Sequence, residues 1–410
     1  MRIRIFLISL ALLAVPASAQ LSLPRTDLPP PLGGVIDPLT GELLDEIDDR
    51  ARSVAHQAMR LAEQRLNRID RLIRGNRDII DLDARGAPAR KGELLLVDPV
   101  YAQVEAAKAL GFTVLGTERL DSLELQVVRL GASGDLSLKA AQALLENALP
   151  AATITADNLH FQSGAVSSAA MMAAGASAQI TTPVGVIDGA PGKSVEVDAV
   201  RGFAQGAPYP SNHGSAVASL LHYAGARKIR VADVYGTDKA GGNSLAVAKA
   251  MGWLVGNGSK VINISLVGPR NALVERAIAR AQSRGVAVVA AVGNDGPAAP
   301  PAFPASYDNV IAVTAVDRKN RALIEAGRAL HLDYASPGAD IYARDAKGNR
   351  MKLRGTSFAS PLVAARLAAA MEVGGNWRTR LDKEARDLGK KGPDPVYGRG
   401  LLCETCRPRN

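Results

Sequence analysis

The chain has 410 residues, 47% of them hydrophobic but only 4% aromatic, and a net charge of +9. That is apolar material for two or three folded units, and its bias to Ala, Val and Leu suits close-packed α/β layers. So few aromatics speak against base stacking, and Arg and Lys are interleaved with Asp and Glu rather than gathered in a stripe. The positive charge is therefore read as a solvated surface, with no nucleic acid as partner.

At the N-terminus, Arg2 and Arg4 precede the apolar run Ile5 to Val15, and Ala17-Ser18-Ala19 follows. A positive start, a short apolar run and a small-x-small site describe a secretory signal peptide over residues 1–19. The run falls short of the roughly 20 apolar residues that span a bilayer. No later segment is long enough either, so no membrane span is expected and the protein is expected to be secreted, to the periplasm or the medium. Residues 20–40, rich in Pro and Gly, read as a flexible spacer.

Residues 41–74 change character. Leu44, Ile47, Val54, Leu61, Ile69 and Ile73 recur at helical spacing, with Glu42, Asp45 and Glu46 near the positive end of the helix dipole. A long amphipathic helix follows, packed on the next domain in preference to serving as a self-associating arm. Residues 75–91, with Gly, Pro and many charges, read as a linker.

A small unit is expected over residues 92–160. Glu93–Val97 reads as a strand, Tyr101–Leu110 as a helix stopped by Gly111, and Phe112–Leu115 and Leu123–Val128 as strands. Leu138–Leu149 is a helix stopped by Pro150, and Ala152–Thr155 a last strand. The order β-α-β-β-α-β is the split βαβ, or ferredoxin-like, pattern. Residues 161–181 form a linker in which Gly164–Gln179 is nearly all Ala, Ser, Met and Gly, a loose and protease-accessible connection.

From 182 to 402, short apolar strands alternate with helices: Val184–Ile187, Ile229–Val234, Val261–Ile264, Val286–Ala291 and Val310–Ala315, with helices such as Ser244–Leu254 and Ala272–Arg284 between them. Continuous apolar strands separated by helices predict a doubly wound, mostly parallel α/β sheet covered on both faces. In the tail, 403–410, Cys403 and Cys406 form a local disulfide or remain spare thiols; two thiols cannot complete a zinc site.

Three segments of the last domain carry chemistry. Asp188, in Val186-Ile187-Asp188-Gly189, ends a buried strand, where functional groups of open α/β sheets collect; a turn before Gly is the plainer reading. His213 opens a small-residue helix, Asn212 to Leu220, where it could equally be a cap. Ser357, in Gly355-Thr356-Ser357-Phe358-Ala359-Ser360-Pro361, stands at the mouth of a helix whose N–H groups favour negative charge, and Pro361 is placed in the tolerant first turn. An ordinary Ser N-cap is the alternative. Together the three fit one mechanism: Asp188 orients His213, His213 deprotonates Ser357, and Ser357 attacks a carbonyl. Asn294, in Gly293-Asn294-Asp295-Gly296 after a buried strand, offers a second donor to the oxyanion; otherwise it is a turn former.

Asp-Gly, His-Gly-x-x-Val-Ala, Gly-Asn-x-Gly and Gly-Thr-Ser-x-Ala-x-Pro, in this order, resemble the subtilisin-like serine peptidases (subtilases), over about Pro183 to Leu402. The resemblance implies a triad of Asp188, His213 and Ser357, an oxyanion hole at Asn294, and protein or peptide substrates. It implies that Ile262–Leu266 is the strand whose edge pairs with the substrate backbone, with Ser265, Leu266, Val267 and Gly293 on the substrate side. Phe303-Pro304 resembles a cis peptide of the family, and Tyr397–Leu401 its domain-closing segment. The small unit then resembles a prodomain, an intramolecular inhibitor removed near the 161–181 linker by self-processing. Val267 replaces a frequent Gly and narrows the pocket; Gly189-Ala190 and Gly214-Ser215-Ala216 also depart from the common pattern. No cofactor is expected, and no calcium-binding loop is recognised.

Rival readings fit less well. Gly192-Lys193-Ser194 lacks the phosphate-loop Gly, because Ile187 stands there. An esterase elbow wants Gly two residues after the nucleophile, where this chain has Ala359. Acid peptidases use Glu where this chain has His213. A catalytically dead binding relative would keep the fold and fail to label with a fluorophosphonate at Ser357.

Overall fold

The computed structural model describes residues 38–162, 164–168 and 179–406, so the expected signal peptide and most of the spacer lie outside the described residues. The chain divides into residues 1–51, described only from Pro38 as helix, and residues 52–410, which hold everything below. Helix α1 spans Pro38–Gly75, three residues longer at its start than the expected bound at 41.

The first sheet is built from β1 (Ile80–Leu82), β2 (Pro88–Val97), β3 (Thr113–Leu120), β4 (Leu125–Gly131) and β5 (Thr153–Asn158), with α2 (Tyr101–Ala109) and α3 (Leu138–Ala148) between strands. All pairings are antiparallel, and β2 lies between β4 and β5 with β3 outside β4; β1 pairs with the first residues of β2. Residues 75–91 are therefore not a linker. Ile80 is buried with Leu72 and Ile73 of α1 beside it, which recruits the segment into the sheet despite its charges.

In β2 both faces are buried, because alternation sends Leu94 and Leu96 to α2 and α3, and Leu95 and Val97 to the opposite side. That opposite side shares one core with two helices of the larger domain, α5 (Ser244–Gly256) and α6 (Ala272–Ser283). The run Leu94–Val97 is uniformly apolar for this reason.

Two short strands follow, β6 (Phe161–Gln162) and β7 (Ala165–Ser168), inside the stretch expected as linker. The larger domain then winds β8 (Val184–Asp188), β9 (Ala199–Gly202), α4 (Asn212–Tyr223), β10 (Ile229–Asp233), α5, β11 (Val261–Ile264), β12 (Leu266–Val267), α6, β13 (Ala287–Ala291), β14 (Ile311–Val316) and β15 (Tyr334–Pro337). Next come β16 (Ala339–Arg344), β17 (Arg350–Arg354), α7 (Thr356–Glu372) and α8 (Trp377–Glu384). The seven-stranded sheet has the order β15-β14-β13-β11-β8-β10-β9, and every pairing in it is parallel. Helices α4 and α7 share a core on one face, α5 and α6 on the other. Since β13, β11, β8 and β10 are neighbours, their carboxyl ends line one edge, where a doubly wound sheet gathers its functional groups. Cys403 and Cys406 are joined in a disulfide, and Phe303-Pro304 is cis.

Candidate active site

Asp188 is the last residue of β8 and is wholly buried. A carboxylate taken out of water needs donors, and it has them. His213 Nδ1 lies 2.8 Å from Oδ2 and 3.0 Å from Oδ1, the Gly189 N–H donates at 2.7 Å, and Gln162 Nε2 donates at 2.8 Å. A carboxylate can only accept, so Nδ1 carries the proton and Nε2 of neutral His213 is the basic atom. His213 is the second residue of α4, whose N-terminus is capped by Ser211 Oγ accepting from the Gly214 N–H at 2.9 Å. The cap fixes where the imidazole begins.

Ser357 is the second residue of α7 and no N-cap; that position is Gly355. At φ +144°, Gly355 adopts backbone that favours glycine, and a Cβ there would stand 2.7 Å from Gly164 Cα and 3.0 Å from Asn294 Nδ2. The next ring, Phe358, has its centroid 5.2 Å from that of His213, which brings the mouth of α7 beside the imidazole. Ser357 Oγ donates to the Ser265 carbonyl at 3.1 Å.

Pro361 is the sixth residue of α7, beyond the first turn expected for it. Its ring removes the N–H that would bond the Ser357 carbonyl. Ser265 Oγ donates to that carbonyl instead, at 3.0 Å, and lies 3.1 Å from Ser360 Oγ. The resemblance places Ser265 on the substrate side; its hydroxyl is buried against the Ser357 carbonyl. Leu266 is buried too, in the core with α5 and α6. Val267 and Gly293 do line a cleft, a cavity of about 440 Å³ shared with Phe303.

Asn294 follows β13. Its Oδ1 accepts the Thr356 N–H at 3.0 Å, serving the otherwise uncapped start of α7. Its Nδ2 is buried and has no hydrogen-bond partner among the described residues. An orphaned amide costs about 1–3 kcal/mol, so this donor is held ready for an acceptor.

The sequence missed what occupies the cleft. β6 pairs antiparallel with β12, Gln162 opposite Leu266 and Phe161 opposite Val267. Gly164 lies against Gly355 and the Phe358 ring, and β7 continues onto β17. One residue upstream of β6, His160 packs its ring on Gly268, and its carbonyl accepts from Tyr235 Oη at 2.9 Å. Burial pushes its imidazole down to about 4. Ser357 is left with no exposed surface. Nothing local in Phe161-Gln162 announces this; only the edge of β12 creates the pairing. Among the described residues no group of three or more His, Cys, Asp or Glu is arranged to hold a metal. No helix among them is long and apolar enough to cross a membrane.

Residues 192–400, just over half the chain, match the subtilase family. Subtilisin BL of Lederbergia lenta is 34% identical over 189 residues, covering 45% of this chain and 68% of the relative. Subtilisin DY of Bacillus licheniformis is 36% identical over 171 residues, 39% of this chain and 61% of its own length. Among solved structures, fervidolysin of Fervidobacterium pennivorans, a keratinolytic enzyme related to subtilisin, aligns with a TM-score of 0.65 at 18% identity. The alignment covers 80% of this chain and 62% of that one. The epidermin leader peptide processing serine protease of Staphylococcus aureus aligns with a TM-score of 0.58 at 17% identity, over 77% and 97%. These two show the shared fold. With the site geometry and the family match together, the chain belongs to the subtilase family and is a serine endopeptidase of the subtilisin type.

Proposed function

We propose that the protein is an exported serine endopeptidase, made as a zymogen that cuts its own chain. His213 Nε2 takes the proton of Ser357 Oγ as that oxygen attacks the peptide carbonyl, and Asp188 steadies the imidazolium that forms. The Ser357 N–H and Asn294 Nδ2 receive the oxyanion. His213 returns the proton to the leaving amine, and water then hydrolyses the acyl-enzyme.

The observation that supports this reading is where Phe161, Gln162 and Gly164 lie. Phe161 and Gln162 lie on β12 as an added strand, and Gly164 sits at the mouth of α7. This supports a cut just before Gly164, at the start of the Gly164–Gln179 stretch.

The unit over residues 80–158 is read as a ferredoxin-like prodomain. Its strand order supports this, as does an alignment with fervidolysin over more of the chain than residues 192–400 supply. Export rests on the N-terminal signal pattern, and the Cys403–Cys406 disulfide fits an oxidising compartment.

The experiment compares full-length wild type with Ser357→Ala by N-terminal sequencing. Wild type is expected to yield a fragment beginning at Gly164, and Ser357→Ala to stay whole. The same fragment from both would defeat self-cutting.

A further inference from the structure

Helix α1 is not needed to fill the cleft, yet it reaches the cleft rim. Ala58, Leu61, Arg65, Arg68 and Leu72 fall three and four residues apart, one continuous stripe of a helix. At one end of the stripe, the Leu61 side chain and the Ala58 carbonyl lie against Gly296. Gly296 has φ +81°, and a Cβ there would stand 3.0 Å from Leu61 Cβ, so glycine is required for this approach. One turn on, Arg65 Nε and Arg68 Nη2 converge on the two oxygens of Asp295, at 3.3 and 2.7 Å. Asp295 directly follows Asn294. At the far end, Leu72 and Ile73 pack on Ile80, Leu159 and Ala240, with Phe161 in the same cluster. Arg65, Leu66, Arg68 and Ile69 form one wall of the cavity whose other wall holds Val267, Gly293 and Phe303.

We propose that Asp295 and Gly296 form a docking surface whose partner is α1 of the same chain, and that α1 is a second latch on the cleft. It grips the loop after Asn294 at one end and the strand entering the cleft at the other. This rests on the self-cutting reading: after the cut, α1 belongs to the severed N-terminal part and slows its departure. Activity therefore appears in two steps, cutting and then release, and the second depends on the two arginines.

Two measurements on the full chain test this. In Ser357→Ala, which stays whole, adding Arg65→Glu and Arg68→Glu should raise hydrogen exchange at residues 58–69 and 159–162 and leave β8 and β11 unchanged. Unaltered exchange at 58–69 would overturn the docking. In the active chain, the interval between the cut and the onset of hydrolysis of a small fluorogenic peptide is timed. The double reversal should shorten it about three- to tenfold, the scale of partly exposed ion pairs, with the cutting rate unchanged. Arg65→Lys with Arg68→Lys should restore most of it, and high salt should shorten it in wild type. Normal cutting with an unchanged interval overturns the latch alone. A wild-type chain that never cuts overturns the latch together with the self-cutting reading.

Discussion

Burying a carboxylate, an imidazole and a hydroxyl in one place is costly unless each is told which way to face. Asp188 receives three donors, and the imidazole among them is thereby committed to one tautomer. Asn294 is the opposite case: its oxygen is spent on the Thr356 N–H, and its nitrogen has no partner among the described residues. Asn294→Ala should therefore lower kcat much more than it raises KM. The expected loss is about 10²–10³, the magnitude known for the equivalent donor of subtilisin itself. Steady-state kinetics on a peptide substrate check this; a change confined to KM would remove Asn294 from the oxyanion hole. That an Asn follows this strand was legible in the sequence. That its nitrogen is orphaned was not, because the orphaning depends on Thr356, which lies 62 residues away.

The elements explain what the motif residues other than the triad do. Pro361, the sixth residue of α7, frees the Ser357 carbonyl, and Ser265 just beyond β11 donates to it. The resemblance to the family's substrate strand put Ser265 on the substrate side; between β11 and β12, its hydroxyl turns toward the Ser357 carbonyl. Ser265→Ala should leave that buried carbonyl only the longer bond from Ser360 Oγ, at 3.5 Å, and lower stability by about 1 kcal/mol. The Ser357→Ala background prevents self-cutting while this is measured by thermal or urea unfolding. An unchanged midpoint would mean that another donor replaces it. Most of the helices and the five apolar parallel strands β8, β10, β11, β13 and β14 were readable from apolar runs and Gly or Pro stops. The short strands β1, β6, β7, β9 and β15 were not, because two to four residues carry no readable alternation and pairing alone makes them strands.

At the scale of the molecule, two titratable groups sit where the N-terminal unit meets the catalytic sheet, and they respond to pH in opposite senses. Asp157 caps the start of α5, accepting the Leu245 N–H at 2.9 Å, with Arg90, Arg129 and Glu93 around it. Burial pushes its carboxyl from 3.8 up to about 7. The folded state then holds a proton that the unfolded chain has released, so this contribution declines as pH rises from 3.8 to about 7. His160 is pushed by burial from 6.5 down to about 4. Its contribution is complete above 6.5 and is lost as pH falls toward 4. In full-length Ser357→Ala, Asp157→Asn should make stability rise more steeply with pH between 4.5 and 6.5, and His160→Gln should make it fall more steeply. Urea midpoints at those two values check the signs, and parallel shifts in both variants would refute the assignment.

By itself the sequence determined the chemistry and the class of fold. Asp188, His213, Asn294 and Ser357 each stand in a short motif, and buried parallel strands must be continuously apolar. Which way Ser265 faces, and that α1 packs on Asp295 and Gly296, were decided only by tertiary structure. Each depends on partners far apart in the chain that meet at a strand edge or a helix mouth, and such meetings leave no local pattern. Pairing along β12 is made by main-chain groups that every residue carries, so almost any sequence can satisfy it and none announces it.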